Sequence, residues 1–211
     1  KGASVVFAPE AVKRGAVVID NGADFRMDPD VPLVVPEVNP RDVKKYRSKG
    51  SIANPNCSTI QMVVALWPIH KAAKLKRVIA ATYQAVSGAG KVAIEQLENE
   101  IKDPNAQRVA FPHRISKNVI PHIGSFAEEG YTSEEWKMVK ETHKIMHSEK
   151  IKISATTVRV PVRTGHSEAV YIETKKDISL EQLRELLGNA AGVAVVDRPG
   201  DNVYPLPIDA E

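Results

Sequence analysis

Two hydrophobic rhythms alternate along this chain. Continuous or period-two apolar runs predict strands, and apolar positions three and four apart predict helices. Ser4-Val5-Val6-Phe7 reads as a strand, and residues 9 to 14 as a short helix closed by Gly15. Ala16 to Asp20 is a continuous apolar run ending in an acid, which predicts a buried parallel strand. Val31 to Val38 is extended and broken by proline, hence edge-like or irregular. Asn39-Pro40 opens a short helix with proline at its first position. The helix beginning at Cys57 is expected to end at residue 67, stopped by Pro68.

Leu75 to Gln84 is strand-like. Ser87 to Gly90 is a tight turn opening a helix with Ile94, Leu97 and Ile101 on one face. Residues 105 to 131 are rich in loop formers. Thr132 and Glu135 form a capping box for a helix over 133 to 147, and Ser179 with Gln182 forms another for a helix ending at Gly188. Ile151 to Val162 and Glu168 to Thr174 read as strands joined through Arg163-Thr164-Gly165, and Val193 to Val196 as a last short strand. This alternation predicts an α/β (α+β) fold. Up to residue 56 the units look like the tail of a doubly wound parallel sheet. From 57 to 211 the longer strands predict a mixed sheet.

Composition narrows the classes. The chain is 43% hydrophobic and 26% charged, with a net charge of +3 and its acids and bases interspersed. No basic stripe points to nucleic acid; the cluster Lys71 to Arg77 reads as a solvated helix end. One cysteine makes no internal disulfide, so a reducing cytoplasmic setting is expected. No apolar run is long enough to span a membrane, no signal peptide is visible, and no metal site is expected. The sequence opens in mid-pattern without an initiator Met, so it reads as a piece of a longer protein.

The single cysteine, Cys57, follows Asn54-Pro55-Asn56 and precedes an apolar helical run. A lone cysteine is commonly a small buried hydrophobe. At a helix N-terminus, however, exposed N–H groups favour a thiolate and can hold a developing oxyanion. A nucleophilic thiol needs a proton-transfer partner. His70 and His147 lie at helix ends, where contacts to carbonyls are expected. His143 reads as packing, and His113 and His122 as loop anchors. His166 follows Gly165 at a strand start. Arg159 shares strand parity with Ile153, Ala155 and Thr157, so it is either a carboxylate clamp or half of a buried ion pair. Glu134 and Lys137 share a helix face, which a solvated salt bridge also explains. Arg26 is expected to bind an anion or to pair with Asp24 or Asp28.

The segments 34–39, 54–61, 82–90, 118–126, 133–142 and 159–170 (VVPEVN, NPNCSTIQ, TYQAVSGAG, NVIPHIGSF, SEEWKMVKET and RVPVRTGHSEAV) together resemble the aspartate-semialdehyde dehydrogenases, in family order and over nearly the whole chain. The resemblance implies a remnant of a Rossmann-type NADP-binding domain over 1–56. It implies a catalytic and dimerisation domain over 57–211, like that of glyceraldehyde-3-phosphate dehydrogenase. It implies Cys57 as nucleophile, His166 as acid/base and Gln84 beside the thiol. Arg159 would clamp the substrate carboxylate and Glu134 would receive its ammonium. Lys137 and Arg26, with Asn56, would bind phosphate. Ser87, Gly88 and Gly90 would face the NADP.

The implied reaction is the reductive dephosphorylation of aspartyl 4-phosphate in a homodimer or dimer of dimers. Around Arg26 the sequence departs from the family, with Gly22 and Asp24 where small hydroxylated or neutral residues are expected. The family's first glycine-rich turn and last helix have no counterpart, so NADP binding is expected chiefly of a longer parent. The rivals are N-acetyl-glutamyl-phosphate reductase, in which Glu134 has no role, a cysteine hydrolase, and a non-catalytic association domain.

Overall fold

The structure, a computed structural model, describes residues 2–210, so the outer limits of the two expected domains at 1 and 211 lie outside it. The chain forms two compact units. One holds the residues up to Val78 with Lys137–Lys152 and Ile172–Val195, and the other holds Ile79–Trp136, Ile153–Tyr171 and the residues from Val196 onward.

In the first unit, α1 (Ala3–Lys13) ends as expected, with the Gly15 N–H on the Val12 carbonyl at 2.9 Å. Its start corrects the sequence reading: Ser4 to Phe7 are helical, not a strand. Val5, Val6 and Phe7 are 55%, 62% and 71% exposed, and the Ser4 hydroxyl instead ties the first turn to Asp20 Oδ1 at 2.6 Å. β1 (Val18–Asp20) pairs in parallel with β2 (Ser51–Ala53), aligning Ile19 with Ile52, and Leu33 bridges Ala53. Parallel pairing was expected; full burial was not met, because Ile19 is 76% exposed while Asp20 turns inward. The extended stretch from Val31 to Val38 supplies much of this unit's core through Val31, Leu33, Val34, Val35 and Val38. A 3₁₀ segment, Pro40–Ser48, starts with proline as predicted.

The helix α2 (Cys57–Ala73) runs through Pro68 rather than stopping there. Met62, Leu66, Ile69 and Ala73 are buried at spacings of four, three and four, so the apolar face continues past the proline. That packing outweighs the lost N–H, whose cost in a helix interior is about 3 kcal/mol. α5 (Leu180–Gly188) packs on α2 and begins with the complete Ser179/Gln182 capping box. Val193 to Val196 form no strand: Val195 and Val196 are exposed and no neighbouring strand accepts them.

Three long strands, β3 (Leu75–Gln84), β4 (Lys152–Arg159) and β5 (Ser167–Thr174), form a sheet in the order β4-β3-β5. β4 and β5 are therefore not a hairpin; β3 lies between them. The ends of β3 and β4 meet, where the Val160 N–H donates to the Gln84 carbonyl at 3.0 Å. β5 runs the other way, its start beside Ala85 and its end beside Ala73, so the sheet is mixed as predicted. β3 alternates strictly over its second half, with Val78, Ala80, Thr82 and Gln84 inward and Ile79 and Tyr83 outward.

In the second unit, α3 (Lys91–Lys102) packs Ala93, Ile94 and Leu97 against Val86, Ile115 and Ile120. Ile101 is 66% exposed, against expectation. The buried stripe instead continues through Gln96 and Glu100, which grip the long loop. Gln96 Oε1 accepts the N–H groups of Val109, Ala110 and Phe111, and Glu100 Oε2 those of Ile115 and Ser116. Burial alone would raise the Glu100 pKa, but those N–H groups, Gln96 and Arg114 together hold it below the usual carboxylate value. α4 (Ser133–Met146), which belongs to the first unit from Lys137 on, opens with the predicted box, the Thr132 N–H donating to Glu135 Oε2 at 2.7 Å. Among the described residues no helix is long and apolar enough to cross a membrane.

Candidate active site

Cys57 is the first residue of α2 and is exposed. Asn56 caps the helix, its Oδ1 accepting the Thr59 N–H at 3.1 Å. Its backbone N–H donates to Glu141 Oε2 at 2.7 Å. Glu141 comes from α4 and is buried; its other oxygen accepts Arg26 Nη1 at 3.2 Å. So the structure brings Cys57, Asn56 and Arg26 of the first unit together around a carboxylate that the sequence reading did not single out. The pairing expected of Arg26 is corrected: its ionic partner is Glu141, neither Asp24 nor Asp28. The neighbouring acids are engaged elsewhere, Asp24 with the Gly2 N–H and Asp28 with Lys49.

A spacing in α4 explains the arrangement. Lys137, Glu141 and Lys144 are four and three apart, so they line one face. Lys144 Nζ donates to the carbonyls of Arg26, Asp28 and Val31 at 2.7, 2.7 and 2.8 Å, fixing the loop that carries Arg26. Burial lowers the pKa of Lys144, against the pull of Asp28 and Glu141. Burial raises that of Glu141, against the Asn56 N–H, Arg26 and Lys137. This charged helical stripe is the sequence signal that could have found Glu141.

In the second unit, Arg159 and His166 converge on the peptide of Ala85, the residue after Gln84. The Ala85 N–H donates to His166 Nδ1 at 3.0 Å, and the Ala85 carbonyl accepts from Arg159 Nη1 at 2.6 Å. With Nδ1 accepting, the neutral imidazole carries its proton on Nε2. Burial first, then the Arg159 charge, lowers the His166 pKa, while Glu134 opposes them. Gln84 Nε2 donates to Glu134 Oε1 at 3.4 Å, with both side chains buried. Arg159 is 5% exposed and lies over the Phe111 ring, 5.8 Å from its centroid.

The turn at Ser87 to Gly90 lies against this cluster. The N–H groups of Val86 and Ser87 donate to the carbonyls of Val162 and Arg163. A Cβ at Gly88 would sit 3.0 Å from His166 Cε1 and Nε2 and 3.1 Å from Arg159 Nη1, so glycine lets both side chains close in without yielding. Gly90, at φ 90°, faces open space and caps α3.

The other histidines differ in part from expectation. His147 pairs with Asp42 at 2.7 Å, and His70 Nδ1 accepts the Leu75 N–H rather than meeting a carbonyl. His143 Nε2 bonds the Ile151 carbonyl, and His122 stacks on Phe126.

Comparison with known proteins shows the family. Residues 66–211 match the semialdehyde dehydrogenase dimerisation domain, and residues 1–46 the NAD binding domain of the same name. An aspartate-semialdehyde dehydrogenase of Aquifex aeolicus is 60% identical over 97% of this chain, which spans 62% of that relative's length. A solved aspartate semialdehyde dehydrogenase II of Vibrio cholerae, complexed with ASA, superposes with a TM-score of 0.89 at 47% identity, over 90% of this chain and 57% of that one. The Candida albicans enzyme with NADP superposes at 0.67 with 26% identity, over 90% and 53%. The chain belongs to the semialdehyde dehydrogenase family.

Proposed function

We propose that the protein to which this chain belongs converts L-aspartyl 4-phosphate to L-aspartate 4-semialdehyde and phosphate, using NADPH and a thioacyl intermediate on Cys57. The reading places residues 1–56 in the nucleotide domain and 57–211 in the catalytic and dimerisation domain. The observation that carries it is Cys57 itself, exposed at the first residue of a capped helix. Dipoles there favour the sulfur anion.

The Cys57 thiolate attacks the acyl carbon, the bond to the phosphate oxygen breaks, and phosphate leaves against Arg26 and Lys137. The thioester accepts hydride more readily than a carboxylate does. The bound nicotinamide supplies that hydride. His166 Nε2–H protonates the developing alkoxide and recovers the proton as the carbon–sulfur bond of the hemithioacetal breaks. Arg159 clamps the substrate carboxylate, Glu134 takes its ammonium, and Gln84 orients the carbonyl.

For the cofactor, the open backbone at Gly90 fits a bound ring or phosphate, whereas the open side of Gly88 is taken up by His166 and Arg159. Asp20 ends β1 with a buried Oδ2 that has no partner, at the strand end where parallel sheets take nucleotides. Because the nucleophile is a thiol, the reading also implies a reducing cytoplasm. The pathway would be that of lysine, threonine, methionine and isoleucine.

The test is phosphate-dependent oxidation of aspartate semialdehyde with NADP, NAD or no nicotinamide, by the wild type and Cys57→Ser. Turnover needing both phosphate and NADP, and lost in the variant, supports the reading. Ester hydrolysis without nicotinamide, or equal activity in Cys57→Ser, refutes it.

A further inference from the structure

The phosphate site proposed around Arg26 contains a carboxylate, Glu141. Arg26 is 8% exposed, and its Nε is buried with no acceptor. Its Nη2 donates to the Asn21 carbonyl at 3.1 Å and its Nη1 to Glu141 Oε1 at 3.2 Å. The second Glu141 oxygen holds the Asn56 N–H, at the turn before Cys57. Lys144, one turn further along α4, holds the backbone carbonyl of Arg26. The loop is therefore already anchored through its main chain, and a second, charged clamp on the guanidinium calls for another explanation. A buried carboxylate on a guanidinium neutralises it and must be displaced, wholly or in part, by any incoming anion.

We propose that Glu141 is the resident counter-anion of the phosphate site: Arg26 rests on its carboxylate, turns to phosphate when phosphate binds, and returns to it as phosphate leaves. This rests on the reading of Arg26 as a phosphate ligand. Glu141 is a positioning residue, because it acts through Arg26 and through the Asn56 peptide. The groups that face it are Arg26 from the loop after β1, the Asn56 N–H before α2, and Lys137 and Lys144 on its own helix. Burial shifts it toward the protonated form against these partners. Protonation removes the competing charge, so anions bind more tightly as pH falls through its titration.

The test is calorimetric binding of sulfate, whose charge is constant between about pH 5 and 8, and of inorganic phosphate to the purified protein. Glu141→Gln keeps an acceptor for Asn56 but loses the charge. It is expected to bind sulfate about tenfold more tightly than wild type at pH 8, with no pH dependence. Wild type should bind more tightly as pH is lowered, and Glu141→Asp should behave like wild type. Glu141→Gln affinity at pH 8 within about twofold of wild type, or weaker, overturns the proposal. If Glu141→Gln does not fold, the wild-type sulfate series decides, and a flat affinity across that range overturns it.

Arg26→Met separates the two readings. If it binds sulfate as well as wild type, the phosphate-site reading fails and this inference falls with it. An Arg26-dependent site indifferent to Glu141 overturns this inference alone.

Discussion

Ala85 contributes no side-chain chemistry, yet its peptide holds two of the proposed working groups, His166 through its N–H and Arg159 through its carbonyl. Gly88 completes the contact by having no side chain. Gly88→Ala would press a methyl on the His166 ring and the Arg159 guanidinium at 3.0 and 3.1 Å. The two side chains would have to give by a few tenths of an ångström, so turnover is expected to fall by less than the roughly 10²-fold that about 1 Å of misplacement costs, while thermal stability drops only slightly. Steady-state kinetics beside thermal melts would check it. Burial, then Arg159, lowers the His166 pKa below its ordinary 6.5, so folding favours the neutral ring. That stabilisation is complete above pH 6.5 and is lost as pH falls toward the folded value. His166→Gln should flatten this part of the stability–pH curve, as read from melts through the acid range.

At the scale of elements, both capping boxes were legible because each is written within four residues. That of α4 does double work, since Glu135 also accepts the Thr157 N–H from β4 at 3.0 Å. Thr132→Ala is expected to cost about 1 kcal/mol, the usual effect of a lost cap, and Glu135→Ala more, because it strands two buried N–H groups. Chemical denaturation of the two variants would rank them. What the sequence concealed depended on distant partners. Arg26 has Asp24 and Asp28 close in sequence, but its pair is 115 residues away. Local propensity marks Val5 to Phe7 as strand and Pro68 as a stop. The first is helical and pairs with no strand among the described residues, and an apolar face continuing to Ala73 decides the second.

Across the whole molecule, β3 was read correctly to the residue, and its alternation leaves Ile79 and Tyr83 46% and 47% exposed on the outer face of a sheet that also exposes Val170 and Tyr171. In a chain whose residues 66–211 match a dimerisation domain, the face of β3 that carries Ile79 and Tyr83 is the expected contact between two copies. Sedimentation should show a dimer, and the double variant Ile79→Asp, Tyr83→Asp a folded monomer. Everything proposed about the chemistry returns to the sulfur at the head of α2. The direct measurement is rapid acid quench of the protein with aspartate semialdehyde and NADP in the absence of phosphate, followed by peptide mass analysis. The predicted result is an aspartyl thioester on the peptide containing Cys57, discharged when phosphate is added. Oxidation of the aldehyde with that peptide unmodified, or an acyl group on any other residue, would contradict it.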